Sequence, residues 1–144
     1  MTKALWFDMD GTIADLYGVK DWLPKLNASD PSPYIEARPL VNMSRLARLL
    51  HKAQRNGYTI NIISWTSKTG SPSYNEAVAL AKTEWLSRHL PSVEWSAIHI
   101  VAYGTPKSTV GRGHLFDDEE KNRTEWGEGA HSPDEIFSVL NLLP

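Results

Sequence analysis

The stretch that decides the fold is Ala4-Leu5-Trp6-Phe7, followed directly by Asp8-Met9-Asp10-Gly11-Thr12. Four apolar residues in succession that end abruptly at an acid are typical of a strand buried on both faces of a parallel sheet. The acids fall where the strand ends, and Gly11 permits a tight turn there with close approach of the backbone to a ligand. The sequence therefore predicts a central strand with polar side chains at its carboxyl end.

Strands and helices alternate along the rest of the chain. Helical spacing places Leu46 and Leu50 on one face of a helix over 41–55, and Gly57 is placed to end it. Further strands are predicted at 58–63, at 98–102, in a short segment ending at Phe116 and at 129–130. A helix is predicted at 73–89, behind a capping box of Ser73 and Glu76, and another at 119–126. The last helix follows a second capping box, of Ser132 and Glu135. This alternation predicts an α/β fold of three layers, Rossmann-like, with about five parallel strands and helices on both faces.

The chain of 144 residues suits a single domain, which we take as 1–144. Within it, residues 15–39 are polar and contain prolines at positions 24, 31, 33 and 39. Proline at this density predicts loop and short helical turns rather than a separately folded unit.

Composition excludes several classes of function. The chain has no cysteine, which excludes disulfides, thiolate metal sites and cysteine nucleophiles. A formal net charge of −2 provides no general attraction for nucleic acid or for anionic membranes. The first apolar run is too short for a signal peptide, and none is long enough to span a bilayer. We therefore expect a soluble, cytoplasmic protein that does not bind membranes.

Polar side chains follow each of the predicted strands. Asp8 and Asp10 follow the first, Ser64 follows the second, Lys107 comes several residues after the third, and Asp117-Asp118 follow the fourth. In open parallel sheets the ligand lies beyond the carboxyl ends of the strands. The fold would therefore bring four carboxylates, a hydroxyl and an ammonium to one edge of the sheet.

Such a cluster suits phosphoryl transfer. Clustered carboxylates repel one another and a phosphate dianion, so a hard cation must lie among them, and Mg²⁺ accepts oxygen ligands while keeping several waters. One carboxylate can then act as nucleophile and another as general acid and base. Lys107 would offset negative charge, Ser64 would donate a hydrogen bond to a phosphoryl oxygen, and Gly11 would let the backbone approach it.

Together these residues resemble the four signature motifs of the haloacid dehalogenase superfamily, in the same order along the chain. The motifs are Asp8-x-Asp10-Gly11-Thr12, Ser64 after the second strand, Lys107 after the third and Asp117-Asp118 after the fourth. The resemblance extends from about Leu5 to Asp118. It implies a magnesium-dependent phosphatase, because aspartate at position 10 marks the phosphatases and phosphomutases of that superfamily.

The resemblance implies a role for each matching residue. Asp8 would be the nucleophile, Asp10 the general acid and base, and Lys107 the cation that orients Asp8 and the phosphate. The expected phosphate-binding set is Gly11, Thr12, Ser64 and Lys107, to which we add Trp65 because it lies beside Ser64, and the expected metal-binding set is Asp8, Asp10, Asp117 and Asp118. Asp118 is the expected direct metal ligand, with Asp117 supporting it. Asn122 and Arg123 follow the acid pair and could support its loop, but the interpretation that we favour is a solvated helix face.

Larger members of this superfamily carry a cap domain that recognises the substrate, and residues 15–39 are too few to form one. We expect a site that is open, or covered by a loop or by another subunit of a homo-oligomer, with Tyr17, Trp22, Tyr34 and Arg38 at its entrance. The substrate would be a phosphomonoester. A nucleotide or polynucleotide end phosphate is favoured by a resemblance to nucleotidases around Asp117-Asp118, although the net charge does not support binding of nucleic acid.

Two other classes of protein remain open at this point. One is a phospholigand-binding or regulatory module of the same fold without turnover, against which the intact motif set argues. The other is a response-regulator receiver domain, which needs adjacent acids after the first strand and an acceptor aspartate after the third. Here the acid pair comes late and Tyr103 follows the third strand.

Overall fold

The structure, a computed structural model, describes residues 2–144 and contains one five-stranded sheet and one two-stranded ribbon. The strands are β1 (Ala4–Phe7), β2 (Ala14–Asp15), β3 (Arg38–Pro39), β4 (Thr59–Trp65), β5 (Ala97–Val101), β6 (His114–Phe116) and β7 (Ala130–His131). The helices are α1 (Trp22–Asn27), α2 (Ser32–Glu36), α3 (Met43–Arg55), α4 (Pro72–His89), α5 (Glu120–Trp126) and α6 (Ile136–Leu142). The larger sheet has the order β5-β4-β1-β6-β7, and its neighbouring strands are all parallel.

Strand β1 is the centre of this sheet. It pairs with β4 on one side and with β6 on the other. Each of its residues is at most 7% exposed, as the continuous apolar run predicts for a strand covered on both faces. Full burial of a large apolar side chain stabilises a fold by roughly 1.5–3 kcal/mol, so this short strand contributes strongly to folding.

Helices cover both faces of the sheet. Leu5 and Phe7 of β1 belong to the larger apolar cluster, which α3, α4 and α6 cover. Trp6 points to the opposite face, where it shares a smaller cluster with Trp126 of α5. The predicted three-layer α/β class is therefore confirmed. Within residues 2–144, no helix combines the length and the apolar character needed to cross a membrane.

The strand order places a topological switch point at the end of β1. The chain adds β4 and then β5 on one side of β1, and returns to place β6 and β7 on the other side. This corresponds to the doubly wound order 3-2-1-4-5, whereas receiver domains have the order 2-1-3-4-5. The structure therefore excludes the receiver-domain alternative. Ligands of such sheets bind in the crevice where the order reverses, which here lies between β1 and β6.

Residues 15–39 form short helices and turns, as predicted. The ribbon of β2 and β3 closes the segment at its base, and α1 and α2 lie between these two strands. The segment packs against α4, since Tyr34 is buried in one cluster with Val78 and the Tyr74 hydroxyl donates to the Asp30 carbonyl at 3.0 Å. Helix α4 therefore fixes the position of this segment.

Strand β4 continues further than predicted. It ends at Trp65, so Ser64 lies inside the strand, opposite Ile100 of β5, rather than in the loop that follows. The polar side chain of Ser64 does not end the strand because the backbone pairing with β5 continues past it.

The N-cap of helix α4 lies two residues earlier than predicted, so the assignment of Ser73 as its N-cap is wrong. The cap is Ser71, whose Oγ accepts a hydrogen bond from the Tyr74 N–H at 3.2 Å. Pro72 then occupies the first helical position, where a missing N–H costs nothing. The proline indicates the correct start of the helix in the sequence, whereas the capping-box pattern at Ser73 indicates a later start.

We expect Ser71→Ala to lower the free energy of unfolding by about 1 kcal/mol, because an orphan N–H of the first helical turn loses its acceptor. Ser73→Ala is the matched control and should change it by less than about half as much, since the Ser73 hydroxyl contacts the Ser71 hydroxyl at 3.2 Å but accepts from no N–H group of the helix. Chemical denaturation of both variants measures the difference. Equal losses would contradict the assignment of Ser71 as the cap.

Candidate active site

The loop after β1 is built around the Met9 carbonyl. This oxygen accepts hydrogen bonds from the backbone N–H groups of Thr12, Ile13 and Ala14, at 2.9 to 3.1 Å, which turns the chain sharply. Gly11 has a φ of +78°, and a Cβ added there would fall on the Asp118 carboxylate. Glycine is therefore required at this position by a left-handed backbone and by the close approach of an acid from the other end of the chain.

Asp8 is buried and firmly held at the end of β1. Its Oδ1 accepts from the Lys107 ammonium at 3.0 Å, and its Oδ2 accepts from the Thr12 hydroxyl at 3.1 Å. Its carboxylate nevertheless lines the main cavity of the site. Asp8 is thus an oriented carboxylate with one edge open to a ligand.

Asp8, Asp117 and Asp118 form a tight acidic cluster. Each offers a carboxylate oxygen, and these three oxygens lie within 4.8 Å of one another. Burial, and next the neighbouring charge of Asp8, raise the pKa of Asp117 and raise that of Asp118 to about 8. The sequence-predicted convergence of both ends of the chain is therefore present, and three crowded oxygen donors of like charge fit a hard divalent cation.

The two acids after β6 differ in how much of their hydrogen-bonding capacity is already used. Asp117 is fully buried. Its Oδ2 accepts from Lys107 at 2.6 Å and from the Asn122 amide at 3.2 Å, and its Oδ1 accepts from the Glu119 N–H at 2.9 Å. Asp118 is partly exposed, and its Oδ1 has a long contact of 3.4 Å with Thr12. Asp118 is therefore the more available of the two for a metal ion.

Asn122 and Arg123 support this acidic loop, so their interpretation as a solvated helix face is wrong. Asn122 is buried, and its amide donates a hydrogen bond to the Asp117 carboxylate. The Arg123 guanidinium donates to the Asp117 carbonyl at 3.0 Å. Helix α5 begins immediately after the acid pair, and its first turns therefore lie beside that loop. Helical periodicity alone could not show that these side chains turn back toward the loop.

Thr12 has a different environment from the one predicted. It is fully buried, its hydroxyl donates toward Asp8, and its oxygen accepts from the Asp118 N–H at 3.1 Å. The side chain thus connects the two acidic loops, and its hydroxyl is already engaged by the residues of both. We correct its assignment from phosphate binding to the positioning of these acids.

Lys107 lies on a short 3₁₀ turn after β5, and its ammonium is buried between Asp8 and Asp117. Burial lowers the pKa of Lys107, but the two carboxylates more than offset this effect, so the pKa is raised above its ordinary value. The ammonium therefore stays charged at neutral pH and connects the ends of β1 and β6.

Asp10 lies apart from the acidic cluster, which corrects its assignment as a metal ligand through its side chain. Its Oδ2 accepts instead from the ammonium of Lys82 on α4, at 2.9 Å. Burial raises the pKa of Asp10, opposed by the charge of Lys82. The two acids of the first motif are thus placed in two different electrostatic environments.

Sequence reasoning did not include Lys82 in the site. The side chain is 1% exposed, and its ammonium also donates to Ser64 Oγ and to the Trp65 carbonyl, each at 2.7 Å. The available signal was helical spacing, because Lys82 comes four residues after Val78 and so lies on the buried face of α4. A lysine on an apolar helical face needs a buried acceptor.

Trp65 lines the cavity, but its indole N–H is not available for a phosphate. It donates to the Thr105 carbonyl at 2.9 Å, and the ring packs against Tyr103 with centroids 4.9 Å apart. The Lys107 ammonium lies 5.3 Å from the centre of the Trp65 ring. Trp65 is thus a wall of the cavity, and we correct its assignment as a phosphate-binding donor.

A cavity of about 250 Å³ opens above Asp8, Asp10 and Lys107. Residues 15–39 supply one side of it through Leu16, Tyr17, Trp22, Leu23, Leu26, Asn27 and Tyr34. The opposite side consists of residues 64–69 with Tyr103. Arg38, which we expected at the entrance, does not line the cavity. The site therefore has a charged floor and a largely aromatic and apolar side from residues 15–39, whereas on the opposite side Trp65 and Tyr103 lie among polar residues.

The doubly wound α/β sheet with a site at its switch point is also found in a solved structure, and this comparison confirms the fold. The chain is similar to the crystal structure of D,D-heptose 1,7-bisphosphate phosphatase from Burkholderia thailandensis, with a TM-score of 0.59 and coverage of 97% of each chain. Sequence identity is 12%, so this similarity shows the fold and not the activity. No protein-family model and no curated protein matches the sequence.

We expect the Asp118 carboxyl to make the metal-free protein less stable as pH rises from about 4 to about 8. The folded pKa of Asp118 lies near 8, above its ordinary value of 3.8, so at this carboxyl the folded state holds more protons than the unfolded chain in this range. The contribution of this carboxyl to the free energy of unfolding must then fall with rising pH. Asp118→Asn should flatten this slope, as measured by urea denaturation in the presence of a chelator at several pH values.

Glu84→Asn, which changes an exposed acid on α4, is the control and should keep the slope of the wild type. Excess Mg²⁺ should flatten the wild-type slope and have little effect on Asp118→Asn, because a bound cation replaces the proton. The same slope in wild type and Asp118→Asn without metal would contradict this account of the acidic cluster.

Proposed function

We propose that this chain is a metal-dependent phosphomonoester hydrolase that acts through an aspartyl-phosphate on Asp8. The observation that carries the proposal is the state of the Asp8 carboxylate, which is held at 3.0 Å by a buried ammonium, belongs to an acidic cluster and faces an open cavity. A carboxylate oriented in this way can act as a nucleophile on phosphorus. The fold shared with a phosphatase is consistent with this chemistry.

In the first step, an oxygen of Asp8 attacks the phosphorus of the substrate and forms an acyl-phosphate bond. The bond between phosphorus and the leaving-group oxygen breaks, and its electron pair stays on that oxygen. Asp10 is suited to supply the proton that this oxygen takes up, because burial raises the pKa of its carboxyl. The products of this step are the alcohol and phosphorylated Asp8.

In the second step, water attacks the phosphorus of the aspartyl-phosphate. Asp10, now ionised, takes a proton from this water, and the bond between phosphorus and the Asp8 oxygen breaks. Inorganic phosphate leaves and both carboxyl groups return to their starting states. One residue thus serves as acid and then as base, which requires it to keep a fixed position beside Asp8.

Lys107 and Ser64 are the groups that would stabilise the transferring phosphoryl. The Lys107 ammonium lies at the cavity floor, where it can offset the charge that develops when an anion attacks an anion. The Ser64 hydroxyl lines the same cavity. Loss of one such preorganised donor typically costs a factor of about 10² to 10³ in kcat.

Asp118 and Asp8 are the carboxylates best placed to hold a divalent cation, with Asp117 supporting the pair through Lys107 and Asn122. We propose Mg²⁺, since the donors are all oxygens. When bound, the ion would supply charge neutralisation for carboxylate and phosphoryl oxygens.

We further propose that the leaving group is a planar aromatic one, such as the nucleoside of a nucleotide or of a polynucleotide end. Tyr17 and Trp22 meet edge to face at the cavity, with ring centroids 5.0 Å apart. Trp65 and Tyr103 form a second aromatic pair on the opposite side. Aromatic side chains on two sides of a phosphate site suit stacking on a base.

We expect Asp8→Asn to abolish Mg²⁺-dependent hydrolysis of p-nitrophenyl phosphate, with a fall of at least about 10³-fold, because the amide is a poor nucleophile at phosphorus. Glu84→Gln changes an exposed acid of α4 in the same way and should retain wild-type activity. Measurable turnover by Asp8→Asn at more than a few per cent of wild type would contradict the covalent mechanism. A wild type that binds phosphate esters without turnover would instead indicate a non-catalytic module.

We expect Trp22→Ala to raise KM for a nucleoside monophosphate about tenfold, since stacking on one base is worth about 1–3 kcal/mol. KM for methyl phosphate should stay constant, because that substrate does not reach the aromatic walls. Leu80→Ala, at an exposed apolar residue of α4, is the matched control. Equal effects of Trp22→Ala on both substrates would contradict the proposed base-stacking wall.

A further inference from the structure

The three hydrogen bonds of Lys82 connect parts of the site that are distant in sequence. Asp10 belongs to the loop after β1, whereas Ser64 and Trp65 form the end of β4. The three contacts measure 2.9, 2.7 and 2.7 Å, so none of them is marginal. A single ammonium on α4 therefore fixes the separation between these two strand ends.

This arrangement uses the full hydrogen-bonding capacity of the ammonium. Lysine has three N–H donors and no acceptor, and each donor of Lys82 has one partner. The Tyr34 ring lies over the ammonium at 5.1 Å and is itself buried, which shields this side from water. Burial of a charged group is costly unless it is paired in this way, so the side chain has one strongly preferred position.

The contacts also determine which atoms of Asp10 and Ser64 remain available to a substrate. Asp10 accepts through Oδ2, and its residual exposure of 19% includes the side that lines the cavity. Ser64 Oγ accepts from Lys82, so its own hydrogen is directed to another acceptor. Asp10 Oδ1 and the Ser64 hydrogen are therefore the atoms that these contacts leave for a substrate.

We propose that Lys82 is a positioning residue that holds Asp10 for proton transfer to the leaving group and orients the Ser64 hydroxyl toward the phosphoryl oxygens. This inference rests on the proposed phosphatase function. Lys107 acts on Asp8 and Asp117, so the two buried lysines have separate tasks. Lys82 does not itself contact the reacting atoms.

The simpler alternative is that Lys82 only neutralises a buried acid and stabilises the fold. The two roles differ in their dependence on the leaving group. Loss of a positioned general acid slows phosphorylation of Asp8 most when the departing oxygen needs a proton, and hardly at all when it does not. A purely structural defect would reduce the rates for both kinds of substrate equally.

Phenyl phosphate and 2,4-dinitrophenyl phosphate provide the comparison, because both leaving groups carry one aromatic ring. The oxygen that leaves phenyl phosphate requires a proton, whereas the oxygen that leaves 2,4-dinitrophenyl phosphate does not. The value of kcat/KM is the proper measure, since it reports the step that forms the aspartyl-phosphate. We expect Lys82→Met to lower kcat/KM at least about 100-fold for phenyl phosphate, and less than about 10-fold for 2,4-dinitrophenyl phosphate.

The absence of cysteine from the chain allows the ammonium to be restored chemically. In Lys82→Cys the new thiol is unique, and 2-bromoethylamine converts it to an aminoethyl thioether that places an ammonium at the length of a lysine side chain. The reaction is carried out on unfolded protein, which is then refolded. We expect this product to regain at least half of the wild-type kcat/KM for phenyl phosphate.

Val78→Ala is the control for a loss of packing on the same face of α4, and circular dichroism shows which variants fold. It should lower the denaturation midpoint without changing the ratio of the two kcat/KM values. Equal losses on both substrates in folded Lys82→Met, or a folded aminoethylated protein without rescue, would overturn the inference about Lys82. Failure of the wild type to hydrolyse either ester would overturn the proposed function itself.

Discussion

The carboxyl edge of the sheet gathers more buried negative charge than it could hold without two ammonium groups. Lys107 connects the ends of β1 and β6 through Asp8 and Asp117, and Lys82 connects the loop after β1 to the end of β4. Removal of either cation would leave a buried carboxylate without its partner, which is a severe penalty in a protein interior. The positions of the strand ends, and thus the shape of the site, depend on these two pairings.

The same pairings assign different tasks to the acids of the first motif. Asp8 shares its cation with a second carboxylate and lies near a third, so it belongs to a strongly anionic cluster. Asp10 has a lysine of its own and lies outside that cluster. Two acids separated by one residue in sequence therefore acquire unlike electrostatic surroundings, which is the condition for one to act as nucleophile and the other as proton donor.

Most of the fold could be predicted because its signals are local. The apolar run of β1 lies where predicted, and the acids directly after β1 and β6 must meet once the sheet is parallel. Lys82 could not be assigned in this way, since a lysine on a helix is exposed by default and the carboxylate that pairs with it lies 72 positions earlier in the chain. Thr12 and Asn122 were misassigned for a related reason, because their hydrogen-bond partners become evident only after the two acidic loops are brought together.

Helix α4 connects the recognition of a substrate with the chemistry at the sheet edge. Its buried face supports the segment 15–39 through Val78 and Tyr74, and one turn further along it carries Lys82. Tyr34 of that segment covers the Lys82 ammonium. The segment that lines the upper cavity thus also excludes water from the ion pair that holds Asp10. Because an ion pair is stronger where water is excluded, the order of this segment contributes to the rigidity of the acid as well as to the shape of the cavity.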